Sequence, residues 1–231
     1  GWWLGRSAER GEAPDSGQAA SEGSSSSHTA ASESGDSEQE QTAPESAGSD
    51  PDGLMKAVLL GESRFLHCAE GKAEAMDITD IPALFDEADP LMKIFDFAIV
   101  DLDGDGKEEI ILFVIGVAGD MGGKVILHQA GGEVYGYSTD NRTLVDLKTD
   151  GTYSYSDPTG MAEAGIAAFT GFSRDGYTVD KKASATGTYE GWDSFAADCE
   201  PVTEEEYMDM ISRQEEKQDV QWHEFSEEEI E

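Results

Sequence analysis

The chain has 231 residues, with 50 acidic against 15 basic side chains and a formal net charge of −35. That balance excludes nucleic acid and anionic lipid as partners, because both demand a basic surface that releases counterions. No apolar run approaches the roughly 18 residues of a membrane-spanning helix, so the domain itself is not expected to insert into a membrane.

Residues 1–50 hold ten acidic and two basic side chains, and from 7 onward they are mostly Ser, Gly, Ala, Glu, Gln and Pro, with no Phe, Trp or Tyr. Such a composition buries too little apolar surface to offset the entropy of ordering, so it reads as a disordered acidic tether. Order is expected over 51–226 as one α+β domain, followed by an acidic tail at 227–231. Leu54, Ala57, Val58 and Leu60 before Gly61 predict a short amphipathic helix with a glycine stop. Phe65–Cys68 reads as a strand. Asp80 before Ile81-Pro82 predicts an N-cap and first turn of a second helix reaching Ala88.

The most informative stretch is Phe95–Val117, FDFAIVDLDGDGKEEIILFVIGV. The strand Ile94–Val100 is expected to place Phe95, Phe97 and Ile99 on one face. Ile110–Val117 is apolar on both faces and belongs in the middle of a sheet covered from both sides. Between them, Asp101, Asp103 and Asp105 stand at positions one, three and five of an acidic loop, the Lys107 carbonyl at seven and Glu109 at nine. Calcium takes six to eight oxygen ligands, and curled loops offer them from alternating positions. Gly106, at position six, permits the sharp turn because it has no side chain to forbid positive φ. A helical calcium hand needs a bidentate Glu at position twelve, and here that residue is Leu112. The expectation is therefore a strand–loop–strand Ca2+ site built from Asp101, Asp103, Asp105, Lys107 and Glu109. Its affinity should be weak, on the order of 10⁻⁴–10⁻³ M.

Beyond the loop, Val125–Gln129 and Val134–Ser138 flank Gly131-Gly132, Thr143–Leu147 and Thr152–Ser156 flank Thr149-Asp150-Gly151, and Ile166–Phe169 and Tyr177–Asp180 flank Arg174-Asp175-Gly176. Three hairpin signals at this spacing predict an antiparallel β-meander with a few short flanking helices. Tyr135, Tyr137, Tyr153 and Tyr155 pair on predicted strands and form a ligand platform only if exposed. Thr203-Glu204-Glu205-Glu206 is a capping box opening a last helix.

The acidic loop resembles the DxDxDGxxD loops of FG-GAP modules in integrin-like propellers, with Glu109 in place of the final Asp. More widely, the LLGE helix end, FDFAIVDLDGDGKEEIIL, VYGYSTDNRTLVDLKTDGTYSYSD and the closing TEEEY helix with its Trp resemble a family of uncharacterised surface proteins. These belong to Gram-positive, often gut, bacteria and are often lipoproteins. The resemblance spans roughly residues 54–225 and implies a fold and an extracellular, surface-tethered location, but no particular reaction.

Four histidines are scattered without zinc-type spacing, and His67 beside Cys68 would point away from it on a strand. The expected function is therefore an extracellular, non-enzymatic calcium-binding module for a protein or glycan. The alternative is a secreted hydrolase, betrayed by a pocket with two carboxyls about 5–10 Å apart. Outside the cell disulfides persist, so Cys68 and Cys199 are expected to bond, closing a long loop worth on the order of 4–5 kcal/mol. Brief proteolysis is expected to leave a resistant core beginning near Asp52 with unchanged melting; a large loss of stability in that core contradicts the tether.

Overall fold

The computed structural model describes residues 51–86, 91–116, 122–157, 162–188 and 190–231; the expected tether at 1–50 lies outside the described residues. The fold is α+β, with two largely antiparallel sheets and a few short helices. Helix α1 (Pro51–Leu59) buries Met55, Val58 and Leu59 as one stripe. Strands β1 (Phe65–Ala69) and β2 (Lys72–Met76) follow as a hairpin across a two-residue turn. After a 3₁₀ segment, Ile78–Leu84, come β3 (Lys93–Val100), β4 (Glu109–Ile115), β5 (Gly122–Ala130) and β6 (Glu133–Asp140).

These strands build a seven-stranded sheet in the order β12-β3-β4-β5-β6-β1-β2, whose edge strand β12 is Trp222–Glu224. The exception to antiparallel pairing is β1 against β6, which run parallel. A five-stranded sheet, β11-β10-β9-β8-β7, is made of β7 (Thr152–Ser156), β8 (Ala162–Ser173), β9 (Gly176–Thr188), β10 (Gly191–Ala197) and β11 (Glu200–Pro201). Helix α2 (Glu204–Glu215) carries the capping box, with the Thr203 hydroxyl accepting from the Glu206 amide and Glu206 accepting from the Thr203 amide.

Three apolar clusters define four layers. The first lies between α1, the 3₁₀ segment and the large sheet, around Val58, Phe65, Ile81, Leu112 and Leu127. The second joins the two sheets through Ala98, Ile111, Ile126, Tyr137, Tyr153 and Phe169. In the third, Ile166, Ala183 and Ala185 of the small sheet meet Tyr207 of α2. As its apolar sequence implied, β4 feeds both faces: Ile110, Leu112 and Val114 into the first cluster, Ile111 into the second.

Several expectations are corrected. On β3 the register shifts between Ile94 and Asp96, and Phe95 is exposed while Phe97 is buried; Ile99 keeps the face of Phe97, opposite Ile110, but is exposed. The second helix is a 3₁₀ segment capped at Asp77, whose carboxylate is engaged by Arg64 at 2.8 Å; its expected end at Ala88, like Val117 at the end of β4, falls outside the described residues. Thr143–Leu147 is no strand, because Leu144 and Asp146 adopt positive φ (56° and 48°); single bridges tie Val145 to Ser154 and Lys148 to Asp219. The tyrosine pairs lie in different sheets, and both turn into the core between them: Tyr137 and Tyr153 are buried, with Tyr135 and Tyr155 packed alongside.

The acidic tail forms helix α3 (Glu227–Ile230), capped by the Ser226 hydroxyl, with Ile230 packed on the first cluster. The expected disulfide is absent. Cys68 is buried on β1 in the large sheet, whereas Cys199 is an exposed thiol in the turn between β10 and β11 of the small one.

Lys124, on β5, is almost wholly buried. Its Nζ donates to the Thr143 carbonyl at 2.8 Å and the Asn141 carbonyl at 3.4 Å, and lies 5.6 Å above the Phe113 ring. Burial without an ion-pair partner pushes its pKa down to about 8. The unfolded chain then holds the extra proton between pH 8 and the ordinary lysine value, so folded stability rises with pH across that window. Relative to Lys124→Met, the wild type should gain on the order of 2–3 kcal/mol between pH 7 and pH 10, read from urea midpoints; parallel pH profiles contradict the assignment.

Candidate metal centre

The register sets Val100 opposite Glu109, so the loop 101–108 is the hairpin connection between β3 and β4. Short side chains and glycines let it curl on itself. The Asp101 carboxylate accepts from the Gly104 amide at 2.8 Å and the Gly106 amide at 3.0 Å; Asp103 accepts from the Asp105 amide at 3.2 Å. Gly104 and Gly106 both sit at positive φ, 76° and 85°. This wrapping, in which short Asp side chains bond backbone two to five residues ahead, is turn chemistry.

The result is that carboxylate oxygens of Asp101, Asp103 and Glu109 lie within 4.8 Å of one another. The Asp105 carboxylate is not among them. The Lys107 ammonium reaches back to Asp105 at 2.9 Å and its amide donates to the same carboxylate at 2.8 Å. That ion pair holds the Asp105 carboxyl below the usual carboxylate range. Both partners are substantially exposed, so solvent screens the attraction. Three of the four expected carboxylates thus converge, and the fourth, Asp105, pairs with the Lys107 side chain, whose main-chain carbonyl was the expected ligand.

Glu109 is the unusual member. It has no solvent exposure, and each oxygen has a donor: the Leu102 amide on Oε2 at 2.8 Å and His128 Nδ1 on Oε1 at 2.8 Å. His128 is placed by register, one step past the pair Ile110–Leu127 on the neighbouring strand. Its ring stacks on Phe172 at 5.0 Å, and Phe172 stacks in turn on Phe169 at 5.2 Å. The loop is therefore continuous with the aromatic core between the sheets. Sequence reasoning missed His128. The signal was present, since aligning Ile110 with Leu127 in the β4–β5 hairpin puts the two ionisable residues face to face.

A second brace comes from the turn 148–151. Gly151 adopts φ +78°, and a Cβ there would stand 2.8 Å from the Leu102 carbonyl and 2.9 Å from that of Asp101. The turn is anchored on its other side to the end of α2, where the Thr149 amide donates to Gln218 at 2.9 Å and Lys217 pairs with Asp150 at 2.8 Å.

Chemically, three carboxylates with no nitrogen or sulfur donor among them suit a hard divalent cation of the calcium type. The other histidines among the described residues lie apart: His67 Nε2 meets Ser138 Oγ at 3.3 Å and His223 meets Glu229 at 3.2 Å. Burial holds His67 below its ordinary value, and it lines an open depression of about 200 Å³ with Ala69, Glu70, Lys72 and Glu74. Its sequence neighbour Cys68 faces the opposite side, in the core between the sheets. No described helix is long and apolar enough to cross a membrane. Comparisons with family models, curated proteins and solved structures returned no match.

Two glycine variants separate backbone strain from loop support. Gly104→Ala meets nothing within 4 Å and should cost about 1 kcal/mol from positive φ alone, whereas Gly151→Ala must also displace the loop backbone and should cost clearly more. Equal urea midpoints for the two would mean that the turn does not brace the loop.

Proposed function

We propose that Asp101, Asp103 and Glu109 hold a calcium ion as a structural brace. On this reading the domain is a non-enzymatic binding module, displayed outside a Gram-positive-type cell on the acidic 1–50 tether, with a protein or a glycan as its ligand. The observation that carries the metal reading is Glu109: a carboxylate aimed at two others, held in place by the Leu102 amide and His128. Like charges so close repel, and a divalent cation relieves that repulsion. Asp105 is neutralised by Lys107 instead of by the ion, which lowers the ligand charge and suits a weak, extracellular-type site.

Bound at the loop, the ion would supply charge neutralisation and tie the β3–β4 hairpin to the core between the sheets. The surface location rests on the acidic composition and on the resemblance to the Gram-positive surface family. An ion that binds only the folded state stabilises it by about 1.4 kcal/mol at ten times its Kd. For a domain of this size that corresponds to a melting shift of roughly 3–6 °C. Adding EDTA should remove the shift and millimolar calcium restore it, while Asp101→Ala and Asp103→Ala should be indifferent to both. Melting of the wild type that ignores chelation contradicts the proposal.

A further inference from the structure

The end of the large sheet remote from β2 carries a second constellation that the acidic loop does not use. In register, Glu224 of β12 stands opposite Asp96 of β3, Asp96 opposite Phe113 of β4, and Phe113 opposite Lys124 of β5. Directly opposed residues share a face, so the four form one row across four strands. Trp222 lies two pairs along, opposite Ala98, and so on the same face. The contacts agree: the Trp222 and Phe113 rings meet at 6.2 Å and 62°, and Lys124 Nζ lies 5.6 Å above Phe113. Trp222 is 36% exposed, and Phe113 and Asp96 are half-buried.

Two carboxylates directly opposed across a strand pair destabilise a sheet. Among the described residues, neither the Asp96 nor the Glu224 carboxylate has a side-chain hydrogen bond or ion pair, though their backbones lie in paired strands. The cation of the same row, Lys124, is turned to the carbonyls of Asn141 and Thr143. Partial burial and the Glu224 charge hold the Asp96 carboxyl above its usual range. Beside this unrelieved pair stands the part-exposed Trp222 indole, a ring of the type that attracts cations. β12 is also the outermost strand of its sheet, so an extended segment has access to its outer backbone.

We infer that the row Glu224–Asp96–Phe113 with Trp222 receives a lysine or arginine side chain of a protein partner. The charged head sits against Asp96 and Glu224, and the alkyl stem lies along the indole. A neutral glycan stacks on Trp222 but leaves the carboxylate repulsion in place, which is why a basic polypeptide is favoured. The inference deepens the binding-module reading and is independent of the calcium loop. The net charge of −35 adds long-range steering toward basic partners.

The test is a titration of the full chain with a tetralysine peptide, followed by tryptophan fluorescence, against the same peptide with acetylated side chains and against chitotetraose. Expected are saturable binding of tetralysine only, a loss of roughly tenfold in affinity for Glu224→Gln and for Asp96→Asn, and loss of the fluorescence response in Trp222→Ala. Removing twice that charge elsewhere, by Glu204→Gln with Glu205→Gln on α2, should leave affinity within about twofold. If that control weakens binding as much as Glu224→Gln does, attraction is diffuse and the inference fails. Binding of chitotetraose with none of tetralysine overturns the cation assignment while keeping a binding module; binding of neither probe overturns the inference at this face.

Discussion

Placing a carboxylate where water cannot reach it is costly unless hydrogen bonds or charges replace the lost solvation. Glu109 occupies such a position at the first residue of β4, and the surroundings are arranged around that cost. The Leu102 amide closes the loop onto one oxygen, and His128 brings the second sheet's aromatic stack onto the other. Leu102 itself is buried in the cluster between the sheets. The acidic loop is thus an extension of the core, and the placement of Asp101 and Asp103 follows from where Glu109 and Leu102 are pinned.

From that junction the layering follows. β4 and β5 lie inside the large sheet and are buried on both faces, with helices covering one side and a second sheet the other. The small sheet has its own outer face, which α2 covers through Tyr207, Met210 and Ile211. The turn 148–151 touches both the loop backbone and the chain leaving α2. It links the outermost layer to the loop without crossing the core.

The elements legible in the sequence were those written in local chemistry. β-branched residues around DLDGDGKEE marked β3 and β4, Gly131-Gly132 marked the β5–β6 hairpin, and Thr203 with Glu206 marked the start of α2. What was illegible depended on partners distant in the chain. Lys72–Met76, rich in Ala, Glu and Lys, has little intrinsic strand preference and is a strand because the turn at Glu70-Gly71 lays it on β1. Nothing local announces that β6 and β7 belong to different sheets, so the tyrosines looked like neighbours across a pair. Thr143–Leu147 has strand-forming composition but two left-handed residues. The acidic spacing gave Asp101, Asp103 and Glu109 correctly as a converging set, yet it treated Asp105 as equivalent, because a spacing rule does not register that Lys107 is close enough to take it. The cysteine count likewise carries no information on which sheet each thiol occupies.

The central claim is that a cation closes the loop onto a buried carboxylate and thereby onto the core. Amide hydrogen exchange at Leu102, whose N–H donates to Glu109, addresses it most directly. Measured at saturating calcium and in EDTA, protection at Leu102, Gly104 and Gly106 should rise roughly tenfold with the ion, in line with about 1.4 kcal/mol of stabilisation. In Asp101→Ala it should not change. Identical exchange at Leu102 with and without calcium would contradict the account, leaving Glu109 and His128 as a self-sufficient buried pair.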